Sequence, residues 1–518
     1  MPHAPASHET LDLGPVPEHP VAGLPTDSPR GAEASKCGSD LRSPVRRGQE
    51  TLAERASKTS EVLKTSEVCR QVSPGGPRLW DWTFVWALSP LLAIYLGVTL
   101  WSWPQGWVAD EGRYLQFAAN LCQGRYALAD DNFLWNGPGY PLVLAVWRAA
   151  GLPPEWARLT GAGFLFLAAV LLAHWMALYV PHRWALGTAW ALGLHVPLYA
   201  GLGVLMTESL AACLVCGACY AAAAALRTGR RTATLCAGVL LGCLALTKVF
   251  FGYVLLGGLL IYGVAAVARW RRPAVRRMAA IYLVGLLTAV PYLAYTYHLT
   301  GRVFYWSNCG GLSLYWMSTP YAEEWGDWFH REDVYGRPEL ARHRPVFDSV
   351  AALSPVDRDA AFRRRAVDNI LARPEKYLRN VAANVTRIWF SFPYSYTPQK
   401  LTTLFYVLPN SLLLSGLVFA GVVLWTRRPP GVGDCHLVLV LMGLTLAGSS
   451  LLSAYARMLA PVVPCAYFLV GLAAYAVWGT SGSEKGDRSN LPRSGPEGAS
   501  HKLDLSPFSG PAQSPQTP

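Results

Sequence analysis

The chain has 518 residues, of which 52% are hydrophobic and 15% charged, and its formal net charge is +12. So apolar a composition at so low a charge density excludes a typical water-soluble globule. The positive charge lies mostly in short Arg-bearing segments between apolar runs, so membrane topology accounts for it and no nucleic-acid partner is expected.

Residues 1–78 are rich in Pro, Ser, Gly and charge without an apolar run, which predicts a disordered cytoplasmic tail and no signal peptide. The first span then serves as its own insertion signal. A transmembrane domain is expected over 79–480, where apolar runs near 20 residues recur, long enough for a core of about 30 Å at about 1.5 Å per residue. They fall at 82–101, 157–180, 183–201, 207–226, 233–248, 249–268, 278–297, 402–425, 435–453 and 457–478, ten in all, with 233–248 the shortest. Residues 481–518 return to the polar composition of the first tail and are read as a second cytoplasmic tail. The fold class is therefore an all-α polytopic membrane protein of about ten transmembrane helices, with an external amphipathic loop and an external helical cap.

Orientation follows from charge. The apolar piece Tyr140 to Val146 ends at Arg148, too short to cross a bilayer, and is read as juxtamembrane or re-entrant. The loops carrying His182 and Arg183, then Arg227, Arg230 and Arg231, then Arg269 to Arg277, then Arg427 and Arg428 all fall on one side. The excess of Arg makes that side cytoplasmic. The other face receives the loops 102–156 and 299–400, together with Glu208, Lys248 and Arg457. Within the second loop a charged stretch from about Asp357 to Ile388 has Ile370, Leu371, Tyr377 and Leu378 at helical spacing, the expected cap.

Four ionisable positions meet on that outer face. Asp110 opens an amphipathic helix carrying Tyr114, Leu115, Phe117, Ala118 and Leu121, and either caps it or acts as a proton acceptor. Glu208 opens a span of Ala, Cys and Leu, either as a partner of the helix dipole or as a second functional acid. Lys248 ends a span and is either a snorkelling lysine or a phosphate ligand. Arg457 starts the last span on the outer side, against the charge rule, which suits a phosphate oxyanion. Two acids and two cations around one external site have the polarity needed to deprotonate an acceptor hydroxyl beside a phosphate leaving group.

Taken with their neighbours, these residues resemble the integral membrane glycosyltransferases of the GT-C superfamily, in the branch of protein O-mannosyltransferases, aminoarabinose transferases and RgtA/B/C/D-like enzymes. The matching pieces are Asp110-Glu111 with Tyr114, Asn136 to Pro141, Thr207-Glu208, and Leu246-Thr247-Lys248. Further along come Asn308-Cys309-Gly310-Gly311 with Leu314-Tyr315, Ala372 to Tyr377, and Tyr455-Ala456-Arg457 before Pro461 and Pro464. The last motif departs from the branch, which often has Arg-Tyr there. The resemblance implies inverting transfer from a polyprenyl-phosphate-linked sugar to a lipid, glycan or protein hydroxyl. The setting it implies is the outer face of a bacterial inner membrane, and the product a cell-envelope glycan such as lipopolysaccharide. Asp110, Glu111 and Glu208 are then the catalytic acids, Lys248 and Arg457 the donor-phosphate ligands, and Tyr114, Tyr140 and Asn308 substrate contacts. No cofactor is required by this reading. Some relatives use a divalent cation, for which Glu111 and His298 are the candidate ligands here.

The rival reading is a transporter or flippase of lipid-linked sugars, but no matching half-repeats are visible and the ionisable residues gather at one face. Cys213, Cys216 and Cys219 repeat every three residues in an Ala-rich span, where small residues for close packing explain them better than a metal ladder. Asn384-Val385-Thr386 fits a glycosylation sequon if the chain is eukaryotic. Trp306 and Trp316 are either interfacial anchors or platforms for a sugar ring.

Overall fold

A computed structural model of the chain describes residues 80–108, 110–127, 133–269, 271–429, 433 and 435–479, so both expected tails lie outside the described residues. Regular structure among them is helical throughout. The first helix, α1 (Trp82–Trp101), begins where Asp81 accepts from the Thr83 N–H at 3.0 Å, satisfying one of the amides a helix start leaves free. Next come α2 (Glu111–Cys122) and α3 (Gly139–Ala149), packed on each other. The 11 residues of α3 reach only about 16 Å, too short to cross, as its sequence implied. It lies amphipathically, with Tyr140, Pro141 and Leu144 inward and Leu142 and Val146 outward.

The bundle continues through α4 (Leu159–Ala177), α5 (His182–Gly193), α6 (Glu208–Thr228), α7 (Arg231–Thr247), α8 (Phe250–Ala268) and α9 (Pro273–Thr300). Helix α6 is its centre, packed between α4 and α7. Its Ala, Gly and Cys residues are buried around most of its circumference, because small side chains let neighbouring backbones approach closely. Cys213, Cys216 and Cys219 belong to that packing.

The segment 299–400 carries α10 (Gly310–Met317), α11 (Arg331–Gly336), α12 (Arg344–Ser349), α13 (Pro355–Ala372) and α14 (Pro374–Phe390), and the bundle helices α15 (Leu404–Arg427), α16 (Cys435–Leu451) and α17 (Val463–Ala474) follow. Among the described residues, seven helical stretches are long and apolar enough to cross a membrane. Of the ten expected spans, 233–248 and 435–453 are realised as 17-residue helices below that length. The expected span 183–201 is not continuous: α5 stops after 12 residues and a short 3-10 turn follows over Val196–Gly201. Pro197, which cannot donate to a helical ladder, sits in that second piece.

The segment 299–400 has its own small core of Tyr315, Trp316, Phe329, Val334, Leu340, Phe347 and Phe362. The cap is two helices whose buried faces are not the expected ones. Pro374 breaks the stretch by forcing Arg373 out of helical geometry, to φ −143° and ψ 68°. Helix α13 therefore buries Val356, Asp359, Phe362, Ala366 and Asn369, and α14 buries Lys376, Asn380, Ala383, Asn384, Arg387 and Ile388. Leu371 and Leu378 point outward instead, 76% and 65% exposed.

The buried amides and guanidinium of α14 are fully used. Asn384 Nδ2 donates to the carbonyls of Ser449, Ser450 and Leu452 at 2.9, 3.1 and 2.6 Å. Arg387 donates to the carbonyls of Ala454, Pro393 and Trp325 at 3.2, 3.0 and 3.1 Å. So α14 acts as a clip on the end of α16 and on the segment that leads into Arg457. It also removes Asn384 as a glycan acceptor, since its amide nitrogen is buried and already donating.

Candidate active site

Each of the four ionisable positions sits at a helix end, and the ends are brought together by close backbone contacts. The turn Gly137-Pro138-Gly139 lies directly on Leu246-Thr247: a Cβ at Gly139 would meet the Thr247 hydroxyl oxygen at 2.6 Å and its amide nitrogen at 2.7 Å. Only glycine permits that approach. It seats the start of α3 against the end of α7, where the backbone leaves the helix and presents Lys248. Lys248 Nζ donates to Glu208 Oε1 at 2.9 Å across to the first turn of α6. The other oxygen, Oε2, is buried without a hydrogen-bond partner.

Asp110 stands at the start of α2 between two guanidiniums. Arg113, one helical turn on, donates to Oδ1 at 2.5 Å, and both terminal nitrogens of Arg457 lie 3.4 Å from Oδ2. Arg113 also donates from Nε to Asn136 Oδ1 at 2.7 Å, and Asn136 Nδ2 donates to the Tyr114 hydroxyl at 3.2 Å. Tyr114 is central: its phenol lies within electrostatic reach of Glu208, Asp110, Arg457 and Arg113, and burial above all pushes its ionisation well up. Asp110, Arg113 and Arg457 keep 17%, 27% and 33% of their side chains exposed, so this side of the cluster is open.

Glu111 has a different environment from its neighbour. It is fully buried, with Arg158 Nε 2.8 Å from Oε1 and Arg158 NH2 2.8 Å from Oε2, while the Val108 and Leu205 amides donate at 2.8 and 2.9 Å. Arg158 also donates to the carbonyls of Pro104 and Gly106 and lies over the rings of Trp103 and Trp107. With four donors on two oxygens, Glu111 has no lone pair directed at the open side. It pins three chain segments, one of them two residues before Thr207-Glu208.

The three expected substrate contacts lie within the wall of the site. Tyr114 and Tyr140 are buried edge to face at 5.2 Å. Asn308 pairs with Leu134 through its backbone N–H and its side-chain oxygen, both at 3.1 Å. Trp306 and Trp316 are both fully buried, the first beneath Gly252 and Tyr292 and the second among Phe329, His343 and Phe347, so neither is an interfacial anchor or a free sugar platform. Glu111 is closed by Arg158, while His298 is exposed near the end of α9. Among the described residues no group of three His, Cys, Asp or Glu is placed to hold a metal ion.

Arg113 and Arg158 were not among the expected site residues. Arg113 follows Asp110 at i+3, a spacing that puts the two on one helix face. On the topology expected from the sequence, Arg158 opens an apolar span on the same side as Arg457, and the same departure from the charge rule marks it.

No family model and no curated protein matches the chain. Among solved structures it is similar to an archaeal oligosaccharyltransferase, AglB from Archaeoglobus fulgidus in complex with an inhibitory peptide and a dolichol-phosphate. That match has TM-score 0.44 and 13% identity, covering 82% of this chain and 53% of that one. The chain thus spans about half the length of that protein. It is also similar to ArnT from Cupriavidus metallidurans bound to undecaprenyl phosphate, with TM-score 0.33, 16% identity, and 80% and 81% of the two chains covered. The apo state of ArnT matches at TM-score 0.34 and 16% identity, over 80% and 82%.

Proposed function

We propose that the chain is an integral membrane glycosyltransferase that moves a sugar, with inversion, from a polyprenyl-phosphate-linked donor to a hydroxyl of a lipid, glycan or protein. The observation that carries this reading is Asp110 held open between Arg113 and Arg457, beside the Glu208–Lys248 pair. An acceptor hydroxyl oxygen attacks the anomeric carbon, and the bond from that carbon to the phosphate oxygen breaks with its electrons leaving on the phosphate. The hydroxyl proton passes to Asp110, and the departing polyprenyl phosphate carries its charge towards Arg457 and Lys248.

The 3.4 Å contacts between Arg457 and Asp110 support an exchange of partners. They are longer than the roughly 2.7–2.9 Å of a tight charge-assisted hydrogen bond. An arriving phosphate takes over Arg457 and leaves Asp110 Oδ2 to the acceptor. Glu111, its oxygens filled, positions Asp110 rather than meeting substrate. Glu208 aligns Lys248 and balances its charge until the phosphate binds.

The Arg-rich loops gather away from this cluster. Arg277 lies against Gly229, and Arg427 donates to the Ala476 carbonyl at 2.9 Å, at the far end of the stretch that Arg457 begins. With that end cytoplasmic, the site faces the outer leaflet, periplasmic in a bacterial inner membrane. A flippase would place its polar groups at mid-membrane, whereas these four sit at helix ends.

The test is to incubate membranes containing the chain with labelled polyprenyl-phosphate sugars. The wild type forms a labelled product and releases the carrier, and Asp110→Asn lowers the rate by about 10²–10⁴ while donor binding is retained. Transfer at the wild-type rate by Asp110→Asn overturns the assignment of the base. Movement of the lipid-linked sugar between leaflets without product overturns the transferase reading.

A further inference from the structure

Between the end of α14 and the first turns of α15 lies a cavity of about 390 Å³ whose lining includes Phe392, Tyr394, Gln399, Lys400, Thr402 and Tyr406. Its chemistry is mixed: two phenols, an amide and hydroxyls line it, with Lys400 as the one charged side chain and no carboxylate. Lys400 makes no ion pair among the described residues. On the other positions of the same turns Leu401, Leu404, Phe405 and Leu408 are exposed, on a stretch long and apolar enough to cross a membrane. The cavity therefore sits where a cationic, hydroxyl-rich recess meets a strip suited to acyl or prenyl chains.

The recess is joined to the candidate active site by one buried guanidinium. Arg387 lies 5.7 Å over the Tyr394 ring and donates to the carbonyls of Pro393, in the cavity wall, and Ala454. The residue after Ala454 is Tyr455, whose ring carries the Arg457 guanidinium at 5.6 Å. Neither Tyr455 nor Arg457 lines the cavity, so its occupant is separate from the cation assigned to the donor phosphate.

We infer that this cavity binds the phosphate-bearing head of a lipid, with Lys400 on the phosphate, Tyr394 and Tyr406 against the head group, and the hydrocarbon chain along Leu401, Leu404, Phe405 and Leu408. A free anion would use Lys400 alone and gain nothing from the apolar strip. That such a lipid is a substrate rests on the transferase reading; that it binds does not.

The experiment is native mass spectrometry of the purified full chain, titrated separately with phosphatidylglycerol, undecaprenyl phosphate, phosphatidylcholine and inorganic phosphate. At least one of the two anionic lipids binds more tightly than phosphatidylcholine, and Lys400→Gln weakens it about tenfold while Lys400→Arg restores it. The lipid that responds names the source: phosphatidylglycerol a membrane phospholipid, undecaprenyl phosphate a prenyl carrier. Because Lys400 is exposed, folding is not at stake, and Thr402→Val gives a second, uncharged probe of the same wall that weakens the same lipid. Equal affinity of wild type and Lys400→Gln for both anionic lipids overturns the inference, as does inorganic phosphate binding as tightly as the lipids. Binding is read without sugar transfer, so a chain that proves inactive as a transferase still passes or fails this test.

Discussion

The Arg158→Met substitution tests the structural core of the site. It keeps an unbranched apolar stem and removes the guanidinium, which lies over the rings of Trp103 and Trp107 and makes two contacts at 2.8 Å with Glu111 and two more with the carbonyls of Pro104 and Gly106. Glu111 is left as a fully buried carboxylate with only the amides of Val108 and Leu205. Breaking one side of a buried pair costs about 3–5 kcal/mol, because the remaining charge loses its counter-charge without regaining water. Adding Glu111→Leu removes that stranded charge, so the double variant recovers part of the loss and the coupling between the sites is about 2 kcal/mol or more. Tryptophan fluorescence of the full chain, titrated with SDS in mixed micelles, measures all four corners of the cycle. A single variant within about 1 kcal/mol of wild type, or a double variant at least as unstable as the sum of the singles, would refute the reasoning. In either case Glu111 would be free for another role.

Three other outcomes are expected. Arg457→Ala raises the donor KM more than the acceptor KM in a lipid-linked sugar assay, and an unchanged donor KM contradicts its role at the phosphate. Asn384→Ala destabilises the chain by about 1–3 kcal/mol by stranding three carbonyls of the α16 end, and mass spectrometry of chain expressed in eukaryotic membranes finds no glycan on Asn384. Lys376, which donates to the Glu324 carbonyl and to Asn380, has its ammonium pushed down to about 8, chiefly by burial. Between pH about 8 and its unfolded value near 10.5 the unfolded chain holds a proton that the folded chain has released, so this group's contribution to stability rises with pH over that window. The difference between wild type and Lys376→Met isolates it from Cys309, whose thiol is pushed up to about 11 and which acts in the opposite sense. A stability difference that stays flat from pH 8 to 10 counts against it.

Helix lengths were legible from the sequence because the span of an apolar run is a one-dimensional property, and most expected spans appear with nearly the same ends. Where Pro197 follows closely on Gly193, the run of apolar letters continued but the helix did not. Asp110, Glu208, Lys248 and Arg457 stood out because a charge at the mouth of an apolar helix is conspicuous without any knowledge of its partners. What each of them does depended on residues far away in the chain. Glu111 and Asp110 are adjacent and chemically alike, yet one is closed by Arg158, 47 positions on, and the other is left open to Arg457, 347 positions on. The same limit explains α14, whose inward face is built from Lys376, Asn380, Asn384 and Arg387. Hydropathy predicts burial only for groups that cannot hydrogen-bond. Polar side chains go inside wherever the fold supplies carbonyls and amides to receive them, and only the assembled backbone determines where those are.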